Sequence, residues 1–248
     1  MRRGVVIALI GVLSGGAVAQ PSGSVETNEL SGTLGPYRVG MNLTIRDDRA
    51  FVAGHYFYSS SLKDIPMTGG MEGERLTLRE PGGGVFDLHL VTSDKTAKPP
   101  LTFDTSTGLE GSWTQGTRTL PVKLQTAWSR RLDQPKRLYA SVDARSDAAV
   151  EAVVRRFQRG VVTGDHELTA SAVAFPLRVN FHRNRTLHIK SKAELVRRWA
   201  QVFTPAYVAR LRRDVPHEMF SNLDGVSLGP GDAWFNGRGA VVLNVDTD

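Results

Sequence analysis

The chain has 248 residues, no cysteine, and 31 basic against 25 acidic side chains, for a formal net charge of +6. The missing cysteine excludes a disulfide framework, a lipid-bearing cysteine behind a leader and a thiolate nucleophile. The charge excess is small, and no aromatic-rich nucleic-acid motif accompanies it, so nucleic acid is not an expected partner.

Arg2 and Arg3 precede an apolar run from Val5 to Leu13, and small residues then lead to Ala17-Val18-Ala19. That order reads as a signal peptide over residues 1–19, cleaved after Ala19. The apolar run is shorter than the ~20 residues needed to cross a bilayer, so no integral membrane segment is expected after cleavage. The arginine pair also fits a twin-arginine leader, although it lacks a fuller motif. Cleavage removes nineteen residues, leaves 229 and lowers the net charge from +6 to +4. The expected location is the bacterial periplasm or the outside of the cell. Residues 20–144 carry 14 charges of each sign, so the excess lies in the second half, mostly as arginine.

A two-residue period dominates residues 33–125. Tyr37, Val39, Met41, Leu43 and Ile45 alternate with Arg38, Gly40, Asn42, Thr44 and Arg46, which predicts a half-buried strand. Further strands are expected at Phe51–Tyr58, Ile65–Thr68, Arg75–Arg79, Val85–Val91, Leu101–Phe103, Leu109–Thr114 and Leu120–Leu124. Gly, Pro and Asp turns separate them, so residues 20–126 read as an antiparallel β-meander closed into a barrel or sandwich. The polar stretch 127–145 reads as a linker.

From residue 146 the period becomes helical. Val150, Val153, Val154, Phe157 and Val161 form one face of a helix, with Glu151, Arg155, Arg156 and Arg159 on the other. A short helix is expected at Asp165–Ala172, then a hairpin from Leu177–Phe181 and Thr186–Ile189. Ser191 and Glu194 form a capping box for a helix carrying Leu195, Val196, Trp199 and Phe203. Thr204-Pro205 starts another helix, with Tyr207, Val208 and Leu211 on its apolar side. Strands return at Gly225–Leu228, Ala233–Phe235 and Ala240–Val245.

This order of helix, helix, hairpin, helix and antiparallel strands resembles the NTF2-like, cystatin-type α+β cone over roughly residues 145–248. The stretches Ala174–Asn180 and Gly229–Phe235 look like fixed points of such a domain. The resemblance implies a curved sheet wrapped around helices, often with a pocket at its mouth. The N-terminal half looks generically like small envelope β-barrel or lipocalin-like domains. The expected fold is therefore α+β: a β-meander followed by a cone domain.

Local catalytic motifs fail on context. Gly225-Val226-Ser227-Leu228-Gly229 matches the G-x-S-x-G nucleophile elbow, but Pro230-Gly231-Asp232 leads into another strand and no histidine follows the serine. Ser60-Ser61-Leu62-Lys63 fits S-x-x-K in a serine-rich loop without companion motifs. The histidines make no H-E-x-x-H, and no metal or other cofactor is expected. Strand alternation places Arg178, Asn180 and His182 on one face; with Asn244 and Trp234 they are the candidate pocket-lining residues. The leading expectation is a non-catalytic module binding an envelope protein, a glycan or a small ligand. The alternatives are an enzyme (lyase, isomerase or hydrolase) using the C-terminal pocket with His182 as base, and an inhibitor of a cell-wall-degrading enzyme.

Overall fold

The computed structural model describes residues 24–131, 137–181 and 185–245. The expected leader, His182 and the hairpin turn beside it lie outside the described residues.

Eight antiparallel strands close into a barrel in chain order: β1 (Val25–Leu34), β2 (Tyr37–Arg46), β3 (Ala50–Tyr58), β4 (Ile65–Glu72), β5 (Arg75–Arg79), β6 (Val85–Val91), β7 (Gly108–Gln115) and β8 (Arg118–Arg131). β1 pairs with both β2 and β8, which removes every free edge. Inward side chains fill the lumen; Leu30, Met41, Leu43, Leu76, Phe86, Leu88 and Leu109 are all fully buried. An eight-stranded barrel is just wide enough for such a packed interior.

Three details depart from the sequence expectation. β1 has no clean alternation, because Thr27, Asn28, Glu29 and Leu30 are buried in succession. Leu101–Phe103 is not a strand; Phe103 instead inserts into the barrel core from a turn. β8 continues to Arg131, so residues 127–131 of the expected linker are strand. Later in that stretch Tyr139 and Val142 are buried in the core of the second unit.

The second unit opens with α1 (Asp147–Thr163) and α2 (His166–Ala170), followed by β9 (Val173–Phe181) and β10 (Arg185–Ile189). Then come α3 (Lys192–Arg197), α4 (Trp199–Val202) and α5 (Pro205–Arg213), and finally β11 (Phe220–Asn222), β12 (Gly225–Leu228), β13 (Ala233–Asn236) and β14 (Gly239–Asn244). The six strands form one sheet in the order β10-β9-β14-β13-β12-β11, with β14 and β9 parallel.

Caps fix the helix starts. The Ser146 hydroxyl accepts from the Ala149 amide at 3.1 Å, and Thr204 accepts from Tyr207 at 3.3 Å, with Pro205 at the first helical position. Ser191 accepts from the Glu194 amide at 3.3 Å, while the Glu194 carboxylate accepts from Lys190 at 2.9 Å. The reciprocal bond of the box thus reaches one residue before the cap.

Val150, Val154, Phe157 and Val161 of α1 pack on Leu177, Val179, Phe235 and Leu243 of the sheet. Glu151, expected on the solvated side of this helix, is only 8% exposed. Tyr139, His217 and the Glu218 amide are what cover it.

Candidate functional site

The barrel and the α+β unit meet over the outer faces of β1, β2 and β3. Along these strands Glu29, Asn42, His55 and Phe57 point out of the barrel, yet Phe57 is 1% and Glu29 is 6% exposed. The segment after α5, from Asp214 to Met219, lies across them. Glu218 there adopts a left-handed backbone (φ 48°), which brings its carboxylate to the barrel side. The Arg38 guanidinium donates to the Arg213 carbonyl at 2.9 Å, closing the contact at the helix end.

A chain of acids and histidines crosses this junction. His217 Nδ1 lies 3.0 Å from both oxygens of Glu151 on α1, and its Nε2 lies 2.8 Å from Asp64 in the loop after β3. The Phe57 ring meets the imidazole edge-on, with centroids 4.6 Å apart. Burial alone lowers the imidazole pKa, but hydrogen bonds and charge from Glu151 and Asp64 outweigh it and raise His217 to about 9. Burial likewise opposes the charge on His55; Glu218, 2.8 Å from its Nε2, and Asp64 move its pKa upward overall.

Glu151 shows the reciprocal effect. Burial raises its pKa, yet His217, the Glu218 amide and Arg155 together lower it below the usual carboxylate value. The Tyr139 hydroxyl also donates to Glu151 at 3.2 Å and accepts from the Met219 amide at 2.9 Å. Glu29 stands at the end of the chain, accepting from the Asn42 amide at 3.2 Å. Burial, and then the facing Glu218 carboxylate, push its pKa well up.

Beside this chain the junction opens into a cleft of about 620 Å³. One wall comes from the barrel, through Glu29, Ser31, Arg38 and Trp128; the other comes from Asp214, Glu218, Phe220, Ser227 and Trp234. The register of β1 on β8 shifts between Glu29 and Leu30, leaving Ala127 as an extra residue on β8. Such a bulge re-aims its neighbours, and it sets Trp128 opposite Glu29 at the cleft. Trp128, Phe220 and Trp234 then form an edge-to-face series, with centroids 6.4 and 6.3 Å apart and interplanar angles of 69° and 87°.

The far wall contains a second acid pair. Asp214 packs against the backbone of Gly229, where a Cβ would stand 2.6 Å from the carboxyl; Gly229 also has φ 64°, so glycine suits the position twice over. Burial and the neighbouring Asp232 raise Asp214 to about 7, against the pull of Arg210 and Arg213. Asp232 itself is buried and held by Arg210 Nε at 3.0 Å. Among the described residues, no group of three or more His, Asp or Glu is placed to hold a metal ion.

The candidates read from the sequence separate into two places. Asn180 and Asn244 are brought together, the Asn180 amide donating to the Asn244 side-chain oxygen at 2.8 Å. Asn244 in turn donates to the Gly231 carbonyl at 2.6 Å, which ties β14 to the turn before β13. Arg178 lies exposed on the same sheet face, opposite His188 across the hairpin. That face is turned away from the core side of Leu177 and Val179, so these polar groups stand on the side of the sheet opposite α1. Trp234 lies farther across the sheet and lines the junction cleft.

Ser227 is held within β12 and donates to the Gly229 carbonyl at 3.2 Å, so it has no strand-to-helix elbow around it. Sequence reasoning missed Glu29, Trp128, Glu151, His217 and Glu218. The contacts that assemble the junction join distant parts of the chain, 66 residues apart for His217–Glu151 and 163 for His55–Glu218, and no local period records such a meeting. No known protein family, curated protein or solved structure matches the chain.

Proposed function

We propose that this protein is a non-catalytic binding module of the bacterial cell envelope, and that its ligand occupies the cleft between the barrel and the α+β unit. The supporting observation is the aromatic series Trp128, Phe220 and Trp234 in a cleft of about 620 Å³ between two packed units. Its size falls in the range of small-ligand sites, and junctions between folded units are where such sites concentrate. The neighbouring imidazole does not favour chemistry. Both His217 nitrogens are engaged by carboxylates, so neither is free to take a proton from a substrate.

Export rests on the arginine pair, apolar run and A-x-A pattern at the start of the chain. We infer further that the α+β unit is an NTF2-like cone. The succession of two helices, a hairpin, further helices and four antiparallel strands supports that reading. Fold alone does not choose between catalysis and binding, since one scaffold hosts both.

Tryptophan fluorescence tests the site. Titrating the mature chain with a panel of sugars, amines and amino acids should reveal a saturable ligand, and Trp234→Ala should weaken it by about tenfold or more. A ligand bound equally well by Trp234→Ala and Trp128→Ala proteins would place binding elsewhere. Turnover of any panel member would favour the enzymatic alternative.

A further inference from the structure

We propose that the cleft takes an amphiphilic carboxylic acid, with its carboxylate on Arg38 and Arg213 and its apolar body along Trp234 and Phe220. The inference rests on the cleft being the ligand site and names the chemistry it selects.

The two ends of the cleft differ in kind. At one end Trp128, Phe220 and Trp234 pack edge-to-face on one another, and the Arg130 guanidinium lies over the Trp128 ring, 6.0 Å from its centroid. The rings therefore form an apolar wall rather than a cage. Trp234 is half-buried and Phe220 is 38% exposed, so the wall still offers apolar surface for a ligand to cover.

The other end is cationic. Arg38 on β2 and Arg213 at the end of α5 both line the cleft and are exposed. Among the described residues, neither is ion-paired. Arg38 uses one terminal nitrogen on the Arg213 carbonyl, and a guanidinium has five N–H donors, so both side chains keep donors for an oxyanion. The carbonyl end of α5 would repel an anion if it were bare. Gln158 donates to the Leu211 and Asp214 carbonyls at 2.5 and 2.8 Å, and Arg38 covers that of Arg213. With a helix C-terminus rather than an N-terminus at this end, the donors are guanidinium forks, which match a planar carboxylate.

The acids on the lining do not cancel the arginines. Glu218 is paired with His55 at 2.8 Å, and His217 is balanced by Glu151 and Asp64. Burial, and then the facing Glu218 carboxylate, push the Glu29 carboxyl well up. Burial and Asp232 raise Asp214 to about 7 against Arg210 and Arg213, so at pH 6 it is mostly uncharged. The unbalanced charge of the cleft is that of Arg38 and Arg213. Arg38 lies four residues along β2 from Asn42, which is level with Glu29 and, across β1, with Trp128. About 13 Å of strand thus separates the cationic end from Trp128, which calls for an elongated ligand with its acid at one tip.

The test compares 6-phenylhexanoate with its primary amide, which keeps the body and loses the charge, by calorimetry and tryptophan fluorescence on the mature chain at pH 6. The acid should bind saturably, with the amide weaker by at least about tenfold. Raising the ionic strength to about 0.5 M should weaken the acid and leave the amide unchanged. Arg213→Gln, at an exposed position, should weaken the acid about fivefold or more without affecting the amide. Arg38→Gln should do the same, with far-UV circular dichroism confirming the fold. Equal binding of acid and amide, both weakened by Trp234→Ala, would overturn the acid inference while leaving the cleft as ligand site. Binding of neither would also overturn it, and a neutral sugar whose binding Trp234→Ala weakens would then keep the cleft. Acid binding unaffected by Trp234→Ala, Arg38→Gln and Arg213→Gln alike would sink the acid site and the cleft together.

Discussion

At the scale of single residues, the junction is made by carboxylates whose protons and partners are shared, and each has a sign in pH. Asp214 has its pKa raised to about 7 from 3.8, chiefly by burial and then by Asp232. An acid raised in the folded state contributes stability that is fully present below about pH 3.8 and lost as pH rises through about 7. Asp214→Asn keeps a donor toward Asp232 and never acquires the charge. Its melting temperature should match wild type near pH 4 and exceed it by about 2–4 °C at pH 8. Equal melting temperatures at both pH values would show that Asp214 is solvated after all. His217 behaves in the same sense for the opposite reason. Its raised pKa, about 9 against 6.5, reflects two carboxylate partners. The stability it brings is complete below about pH 6.5 and disappears as pH rises through about 9. Hydrogen exchange of residues 214–219 should therefore accelerate between pH 7 and 10 beyond the intrinsic base-catalysed increase, and the extra acceleration should be absent in His217→Gln.

At the scale of elements, the strands with one wet face and the helices with strong caps were legible in the sequence. The alternation from Tyr37 to Ile45 located β2, although Gly40 and Asn42 on its outer face are buried too where a half-buried strand was expected, and Ser191 and Thr204 act as the caps expected of them. What escaped was burial imposed from outside an element. β1 carries Thr27, Asn28 and Glu29 in a row, a stretch without the alternation that marks a strand, and it is buried because β8 and the α+β unit enclose it. Glu151 sits on the expected polar side of α1 and is buried because His217, Tyr139 and the Glu218 amide converge on it. The same reason hid the cleft: Trp128 stood in the expected linker, and only the bulge at Ala127 and the extension of β8 bring it beside Phe220. The helix core itself followed from its period. Phe157 on α1 is fully buried and meets Phe235 edge-to-face at 5.3 Å. Phe157→Ala should cost about 3–5 kcal/mol in urea unfolding, through lost burial and a residual cavity. A loss below about 1 kcal/mol would mean that α1 is not seated on the sheet as described.

At the scale of the whole molecule, two units with separate cores share one ion-paired seam, and the cleft exists because the seam holds them in register. Among the described residues, no helix is long and apolar enough to cross a membrane. The seam is polar where the cores are apolar, so its strength comes from a few hydrogen-bonded charges taken partly out of water. His55 on β3 and Glu218 beyond α5 bridge the units directly, at 2.8 Å, with side chains 25% and 12% exposed. A double-mutant cycle on His55→Asn and Glu218→Gln, read by denaturant unfolding at pH 7, tests the arrangement most directly. The two units docked as described predict a coupling of about 1–3 kcal/mol between these positions, and effects that add to within about 0.5 kcal/mol would contradict it.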